Sequence, residues 1–331
     1  MLTICPQLSA DDRLLVVADN CTDNTAAVAA AAGASVIKRR NESLRGKGYA
    51  LDFGLQHLAQ SPPDVVIIVD ADCRVSPGSI ALLSQTAIAA KRPVQGTYLL
   101  ELPTKPSAKA QISAFAFKIK NLVRPLGCRW LGQPSPLTGT GMAFPWSVLS
   151  AVDLASDNLV EDMKLGLDLA LAGYPPIFCR EALILSELPQ TDKGAVGQRT
   201  RWEHGHLQVL RQYVPKLLMA SLHQRRFDLT AMALDLCVPP LALLVMLWAG
   251  ISAFTTLAAW WLAAGWIVFP SYLAGGLMLG GILLAWVGFA KEDLPLKQLL
   301  SVPFYILWKL PIYLSFLTKP QSKWIRTERD S

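Results

Sequence analysis

Asp70-Ala71-Asp72 is the acidic pair best placed for chemistry in this 331-residue chain. It follows the apolar run Val65–Val69 (VVIIV), which reads as a strand buried on both faces, so both carboxylates are delivered to a strand end. Two carboxylates spaced D-x-D can hold a hard divalent cation, Mg2+ or Mn2+, and present it to a diphosphate. The same spacing is also common in solvated loops and helix caps. A further acid, Asp19, ends the run Arg13–Asn20 (RLLVVADN). There a carboxylate can accept the N–H of a uracil ring, although the residues that follow, through Thr25, also suit an ordinary turn and helix cap. Arg45-Gly46-Lys47-Gly48 sets a cation on a flexible loop, fit either to clamp a phosphate or to link a strand to a helix.

Three later segments add chemistry. Thr138, Gly139, Thr140 and Gly141 lie within LTGTGMAF, where small residues allow a sugar to approach closely or form a tight hairpin. Glu161 and Asp162 open a helix, a position that the helix dipole favours for acids with or without catalysis. Gln198, Arg199, Thr200, Arg201 and Trp202 follow on an amphipathic stretch. An arginine there can bind diphosphate and a tryptophan can stack on a sugar face, while both residue types also anchor helices at membrane interfaces.

The elements that carry these residues alternate. Arg13–Asn20 and 35–38 read as strands, and 26–33 and 48–58 as helices. Pro77 opens another helix, 159–172 is helical with Gly173 as its stop, and 191–218 is a long amphipathic helix. The basic, Phe-containing stretch 105–129 reads as a helix lying on the membrane or on the sheet. This alternation predicts an α/β fold with a mostly parallel sheet, whose ligands bind beyond the C-terminal strand ends.

Composition divides the chain. Hydrophobic residues make up 52% and the mean hydropathy is +0.33. The 55 residues from Leu236 to Ala290 contain no Asp, Glu, Lys, Arg or His. A single membrane span takes ~20 residues, so two fit, expected near 232–253 and 268–290. Trp260, Trp261 and Trp266 suit the far interface, and Arg225, Arg226, Lys291 and Lys297 put both flanks on the near side. The tail mixes Trp308, Tyr313 and Trp324 with Lys309, Lys319, Lys323 and Arg326, as an interfacial helix with a basic end would. The six cysteines include no C-x-x-C pair, which leaves zinc and redox motifs without support and fits reduced cytosolic thiols. A net charge of +6 without an aromatic-interleaved basic stripe fits anionic lipid or diphosphate rather than nucleic acid. The first residues lack the basic start and apolar core of a signal peptide, so the catalytic half is expected in the cytoplasm.

Taken together and in this order, the six features resemble glycosyltransferase family 2, of GT-A fold, and more narrowly its membrane-integrated branch with the cellulose, chitin and hyaluronan synthases. The most specific element is Q-x-x-R-W, matched by Gln198, Arg201 and Trp202 after E-D and D-x-D. The resemblance implies that Asp19, Lys47 and Asp70 contact the nucleotide or donor sugar and that Asp72, with Asp70, binds the metal. Asp162 would be the general base with Glu161 beside it, and Gln198 and Arg201 would meet the diphosphate. Trp202 would line the acceptor site, with the loop from Thr138 through Gly139, Thr140 and Gly141 to Met142 facing the acceptor.

Family members begin with a strand and loop of P-x-x-N-E type, and none precedes Arg13, so the catalytic domain is expected to be N-terminally incomplete. The expected organisation is a cytoplasmic GT-A domain over 1–190, amphipathic interfacial helices with QxxRW over 191–230, and a membrane region over 231–331. The implied activity is inverting transfer, by a hexosyl- or N-acetylhexosaminyltransferase, from a UDP-sugar to a growing exopolysaccharide at the bacterial inner membrane. Transfer of one sugar to a lipid acceptor, as in ceramide glucosyltransferases, stands beside it, as does an inactive scaffold in a membrane complex. Membrane lipid, a second copy of the chain and export partners are the further partners this reading implies.

Overall fold

The structure, a computed structural model, describes residues 1–156, 158–188, 192–319 and 321. Strand β1 (Leu15–Asp19) and strand β2 (Ser35–Arg39) pair in parallel around helix α1 (Thr25–Ala31) and form a sheet of two. Helix α2 (Lys47–Leu58) packs on β1, and Gly54 leaves room there for the Val17 side chain. The main sheet contains β3 (Val65–Ile68), β4 (Cys73–Val75), β5 (Val94–Glu101), β6 (Met142–Pro145) and β7 (Ile177–Glu187), in the order β3-β6-β5-β7-β4.

The expectation of a mostly parallel sheet holds for two pairings only. β1–β2 and β5–β7 are parallel, whereas β3–β6, β5–β6 and β4–β7 are antiparallel. The physical reason is the connectivity. β6 is reached through a long helical excursion and returns against β3 and β5, and β4 is a three-residue edge strand directly after the Asp70–Asp72 turn. The fold is mixed α/β.

Helix α3 (Ser79–Ala90) starts two residues beyond Pro77, after Gly78 in the left-handed region. It covers one sheet face by setting Leu83 and Ala87 against Val94, Ala143 and Ile184. The excursion between β5 and β6 comprises α4 (Ala108–Lys118), a π-helical turn (Ile119–Val123) and α5 (Arg124–Trp130). This settles the 105–129 stretch as helix packed on the protein: Ile112 and Phe115 bury against Ala285, Leu294 and Tyr305. After the short α6 (Trp146–Leu149), helix α7 (Glu161–Leu171) covers the second face, with Leu165 and Leu169 on Leu137, Met142 and Phe144. Each fully buried Leu or Phe in these layers contributes ~1.5–3 kcal/mol.

The remainder is helical. α8 (Asp192–Gln224) and α9 (Phe227–Cys237) bury Val209, Tyr213, Leu217, Leu229 and Met232 against Met163 and Leu167 of α7. α10 (Leu241–Trp261) and α11 (Phe269–Phe289, entered through a 3-10 turn from Gly265) are long and apolar enough to cross a membrane, and few of their residues are buried within the protein. The first helix that could span a membrane thus begins at Leu241 rather than at 232. Pro239 and Pro240 break the chain, and the residues before them form α9, which docks on α7 and α8. Arg225 and Arg226 accordingly precede α9 instead of flanking a span; Arg226 pairs with Asp228 at 2.6 Å. The chain ends in the short α12 (Leu296–Leu299) and α13 (Val302–Thr318). α13 is held to α8 by the buried Lys309–Glu203 pair and leaves Phe304, Leu307 and Leu314 exposed on its outer side. The basic tail residues Lys323, Trp324 and Arg326 lie outside the described residues.

Candidate active site

Lys47, the first residue of α2, sits where three chain segments converge. Its Nζ donates to the Gly139 carbonyl at 2.6 Å, pairs with Asp70 Oδ1, and lies 3.9 Å from Glu161 Oε1. The acids come from different elements. Asp70 ends the β3 run, while Glu161 and Asp162 form the first turn of α7. Burial alone would lower the Lys47 pKa, but Asp70, Glu161 and Asp162 together hold it above its ordinary value. Glu161 is pushed up to about 7, first by burial and then by the adjacent Asp162 charge. Burial also raises Asp162, opposed by Lys47 and Lys120. An uncompensated buried carboxylate is expensive, so the site holds a basic group ready to accept a proton near neutral pH.

The loop from Thr138 to Gly141 is fixed from below. Gln95 of β5 accepts from the Thr138 backbone N–H at 2.8 Å and donates to the Thr140 carbonyl at 2.9 Å. The Thr140 hydroxyl accepts from the Asp70 backbone N–H at 3.1 Å. Gly139 has φ +96°, and a Cβ there would lie 3.2 Å from Asp162 Oδ2, so glycine is what lets this loop touch the acid. Gly141 has φ +63°, and its added Cβ would fall within the Ile184 side chain.

One atom from each of Asp70, Asp72 and Cys73 lies within 4.8 Å of the others. Burial, more than any neighbouring charge, pushes the Cys73 thiol up to about 12, so it stays protonated and is a poor ligand. The usable donors are the carboxylates of Asp70 and the exposed Asp72, an all-oxygen set that fits a hard divalent cation.

Other expected site residues are placed more loosely. Asp19 ends β1 and is paired with Arg39 at 2.6 Å, and the Arg39 guanidinium lies 5.8 Å from the Tyr49 ring of α2. Trp202 packs its ring 5.7 Å from Phe117 of α4, which meets Tyr98 of β5 edge-on at 5.0 Å. The Tyr98 hydroxyl meets Ser186 Oγ at 2.9 Å, and Ser186 lies opposite Cys73 in the β4–β7 register, so this aromatic wall runs toward the acidic pair. Gln198 and Arg201 lie within a turn or so of Trp202 on α8 but make no hydrogen bond or ion pair with the Lys47 cluster among the described residues. Among the described residues, the buried Arg201 Nε has no hydrogen-bond partner. Arg199, from the same motif, points away: it donates to the Ser113 hydroxyl, lies 5.3 Å from the Trp308 ring, and so ties α8 to α4 and α13.

Sequence reasoning missed Arg39, Gln95, Phe117 and Lys120. The parallel register that sets Asp19 opposite Arg39 would have exposed the first. A lone glutamine in the apolar run VQGTYLL was the available signal for the second.

A family model described as "Glycosyltransferase like family 2" matches residues 4–205. No curated protein sequence matches the chain. Among solved structures, a mannosyltransferase from Pyrobaculum calidifontis in complex with GDP-Man and Mn2+ is 17% identical, covering 90% of this chain and 78% of its own, with a TM-score of 0.45. Glucosyl-3-phosphoglycerate synthase from Mycobacterium tuberculosis, in complex with Mn2+, UDP-glucose and phosphoglyceric acid, is 22% identical over 58% of this chain, with a TM-score of 0.37. A mycobacterial protein is 24% identical over 59% of this chain, with a TM-score of 0.35. The chain spans just under two thirds of the length of these last two, 64% of the mycobacterial protein and 66% of the synthase.

Proposed function

Since the chain belongs to glycosyltransferase-like family 2, we propose that it transfers a sugar, with inversion, from a UDP-sugar to a growing polysaccharide at the cytoplasmic face of a membrane. The observation that carries this reading is the convergence of Lys47, Asp70, Glu161 and Asp162 beside the Gly139 carbonyl. A candidate base, a candidate phosphate-binding cation and a candidate metal-binding acid are thereby gathered around one lysine ammonium and one glycine of the 138–141 loop.

In this mechanism the acceptor hydroxyl oxygen attacks the anomeric carbon as the bond to the diphosphate breaks. Asp162 takes the hydroxyl proton, and the electron pair leaves with the nucleotide. Lys47 and Arg201 carry the positive charge that meets the departing diphosphate. Asp70 and Asp72 would hold Mg2+ or Mn2+, which when bound neutralises charge on the diphosphate. Asp70 now pairs with Lys47, so donor binding would redistribute that contact. Asp19 would hold the base of the nucleotide, with Gln198 beside the diphosphate. Trp202 and the Thr138–Gly141 loop would face the acceptor.

α10 and α11 would cross the membrane as a hairpin. The catalytic half would lie on the side of the residue 291–294 turn, because Lys118 of α4 donates to the Phe289 carbonyl at 3.0 Å and Gln111 to the Asp293 carbonyl at 2.9 Å. The same contacts favour a second reading, single transfer to a membrane lipid. They set the foot of α11 against the helix that bears Phe117 and the acceptor wall.

A transfer assay on detergent-solubilised protein with labelled nucleotide-sugars tests the proposal. Asp162→Asn should bind UDP normally and transfer almost nothing, since general-base help is worth ~10²–10⁴ in rate. Trp202→Ala should bind UDP but use acceptor poorly. Full transfer by Asp162→Asn would end the base assignment, and the size of the product separates polymer from glycolipid.

A further inference from the structure

Lys309 is the one charged residue of the apolar helix α13, and it does not face solvent. Its side chain turns inward and forms a buried ion pair with Glu203, the residue that follows Trp202. α13 grips the same stretch of α8 twice more. His204 donates from Nε2 to the Ile312 carbonyl at 2.9 Å and accepts at Nδ1 from the Gln321 backbone N–H, beyond α13, at 3.1 Å. The Arg199 guanidinium lies 5.3 Å from the centre of the Trp308 ring.

These contacts hold the back of the segment whose front was assigned to substrate. A helix turns by about 100° per residue, so Gln198, Arg201, Trp202 and Gly205 share one face of α8, and Arg199 and Glu203 lie on the opposite one. The front face is closely fitted. Trp202 lies 5.7 Å from Phe117, and a Cβ on Gly205 would come 2.8 Å from Val160 Cγ1 and 3.1 Å from Leu159 Cβ. Leu159 and Val160 lead directly into Glu161 and Asp162. α8 is thus set between the turn that bears the candidate base and the helix that bears Lys309.

We propose that Lys309 is a positioning residue for acceptor use: by seating Glu203 it fixes the height and rotation of α8, and so the place of Trp202 beside the Asp162 turn. The inference rests on the reading of Trp202 as part of the acceptor site. Apolar contacts such as those of Tyr305 and Ile312 are non-directional and allow α13 to dock in neighbouring registers. A buried charge with one partner allows only the register that pairs it, because any other leaves both ions desolvated and unmatched. A slip of one residue would move α8 by ~1.5 Å along its axis and turn Trp202 away from Phe117.

The test compares Lys309→Met with the double variant Lys309→Met/Glu203→Met. The single change strands a buried carboxylate and lowers Tm. The double change replaces the pair by apolar side chains, which keeps the helices packed and the protein folded. In both, acceptor kcat/KM is expected to fall ~10-fold, since a misplacement of ~1 Å at a reacting group costs ~10²-fold. UDP affinity and slow hydrolysis of the donor by water are expected to stay at the wild-type level. Wild-type acceptor kinetics in the double variant would overturn the proposal and leave the pair a packing contact. An equal loss of UDP affinity, donor hydrolysis and transfer would overturn it as well, because the effect would then be general. Trp202→Ala, measured alongside, separates the two readings: if it uses acceptor normally, the acceptor assignment itself fails and the proposal with it.

Discussion

Gly139→Ala isolates the contact between the acceptor loop and the base. The backbone there has φ +96°, and an added Cβ would lie 3.2 Å from Asp162 Oδ2, 3.7 Å from its Cγ and 3.9 Å from Lys47 Nζ. Two costs follow. An L-residue held in a left-handed conformation loses ~1–2 kcal/mol, which lowers Tm by ~1–3 °C in a chain of this length. Separately, the carboxylate must retreat by a few tenths of an ångström, and Asp162 cannot do so freely in the first turn of a packed helix. A misplacement of ~1 Å at a reacting group costs ~10²-fold, so ~10-fold in kcat is expected from the smaller shift. Gly33→Ala supplies the control, since Gly33 has φ +89° and no neighbour within 4 Å of its added Cβ. It should show the same fall in Tm and the wild-type kcat. Donor turnover and thermal unfolding, measured on both variants in one detergent, decide the matter. Wild-type turnover by Gly139→Ala, or an equal loss of turnover in Gly33→Ala, would refute the reasoning.

Three further outcomes are expected. Asp72→Ala should abolish the difference in UDP affinity between Mn2+-containing and chelator-treated protein, as titration calorimetry would show; a metal effect of undiminished size in the variant would exclude Asp72 as a ligand. His206 is held neutral, its pKa lowered to about 4 by burial first and by Lys120 second. The unfolded chain therefore binds the extra proton between about pH 6.5 and 4, so stability is full above 6.5 and falls by ~3 kcal/mol as pH drops through that window. The acid-side decline in Tm should flatten in His206→Gln, and an identical decline in both proteins would show that other groups cause it. Single cysteines at Glu292 and Ala263, in a background without the native ones, should label with an impermeant reagent from opposite sides of the membrane. Labelling of both from one side would rule out the hairpin.

The sequence exposed those parts of the fold whose signal is local. β1, β2, α2 and β3 appear within a residue or two of their expected ends because each is a short apolar or amphipathic run closed by polar residues. β5 and β7 were not read as strands. Their direction depends on which segment returns beside which, and β6 reaches β3 and β5 only after the α4–α5 excursion. The misplaced first span has a similar origin. Apolar content rises from Leu229, and only the pair Pro239-Pro240 marks the point where a packed helix gives way to one long and apolar enough to cross a membrane.

The site divides along the same line, and the division explains which residues were missed. Asp70, Asp72, Glu161 and Asp162 stand at strand and helix ends, where side-chain type and spacing alone suggest a role. What makes them a site is supplied by residues with no local signature. Gln95 sits within a strand and fixes the loop from 43 residues away in sequence, and Arg39 meets Asp19 through parallel register. Lys47 belongs to both groups: its RGKG loop was legible, yet its partners Gly139, Asp70 and Glu161 come from segments up to 114 residues apart, as the Glu161 contact shows. A buried lysine among three acids is stable only while all of them are present. Neutralising any one acid should therefore disturb the protonation of the others, and single substitutions here are expected to act non-additively, with Lys47→Met and Asp70→Asn combined costing less than the sum of their separate losses in stability.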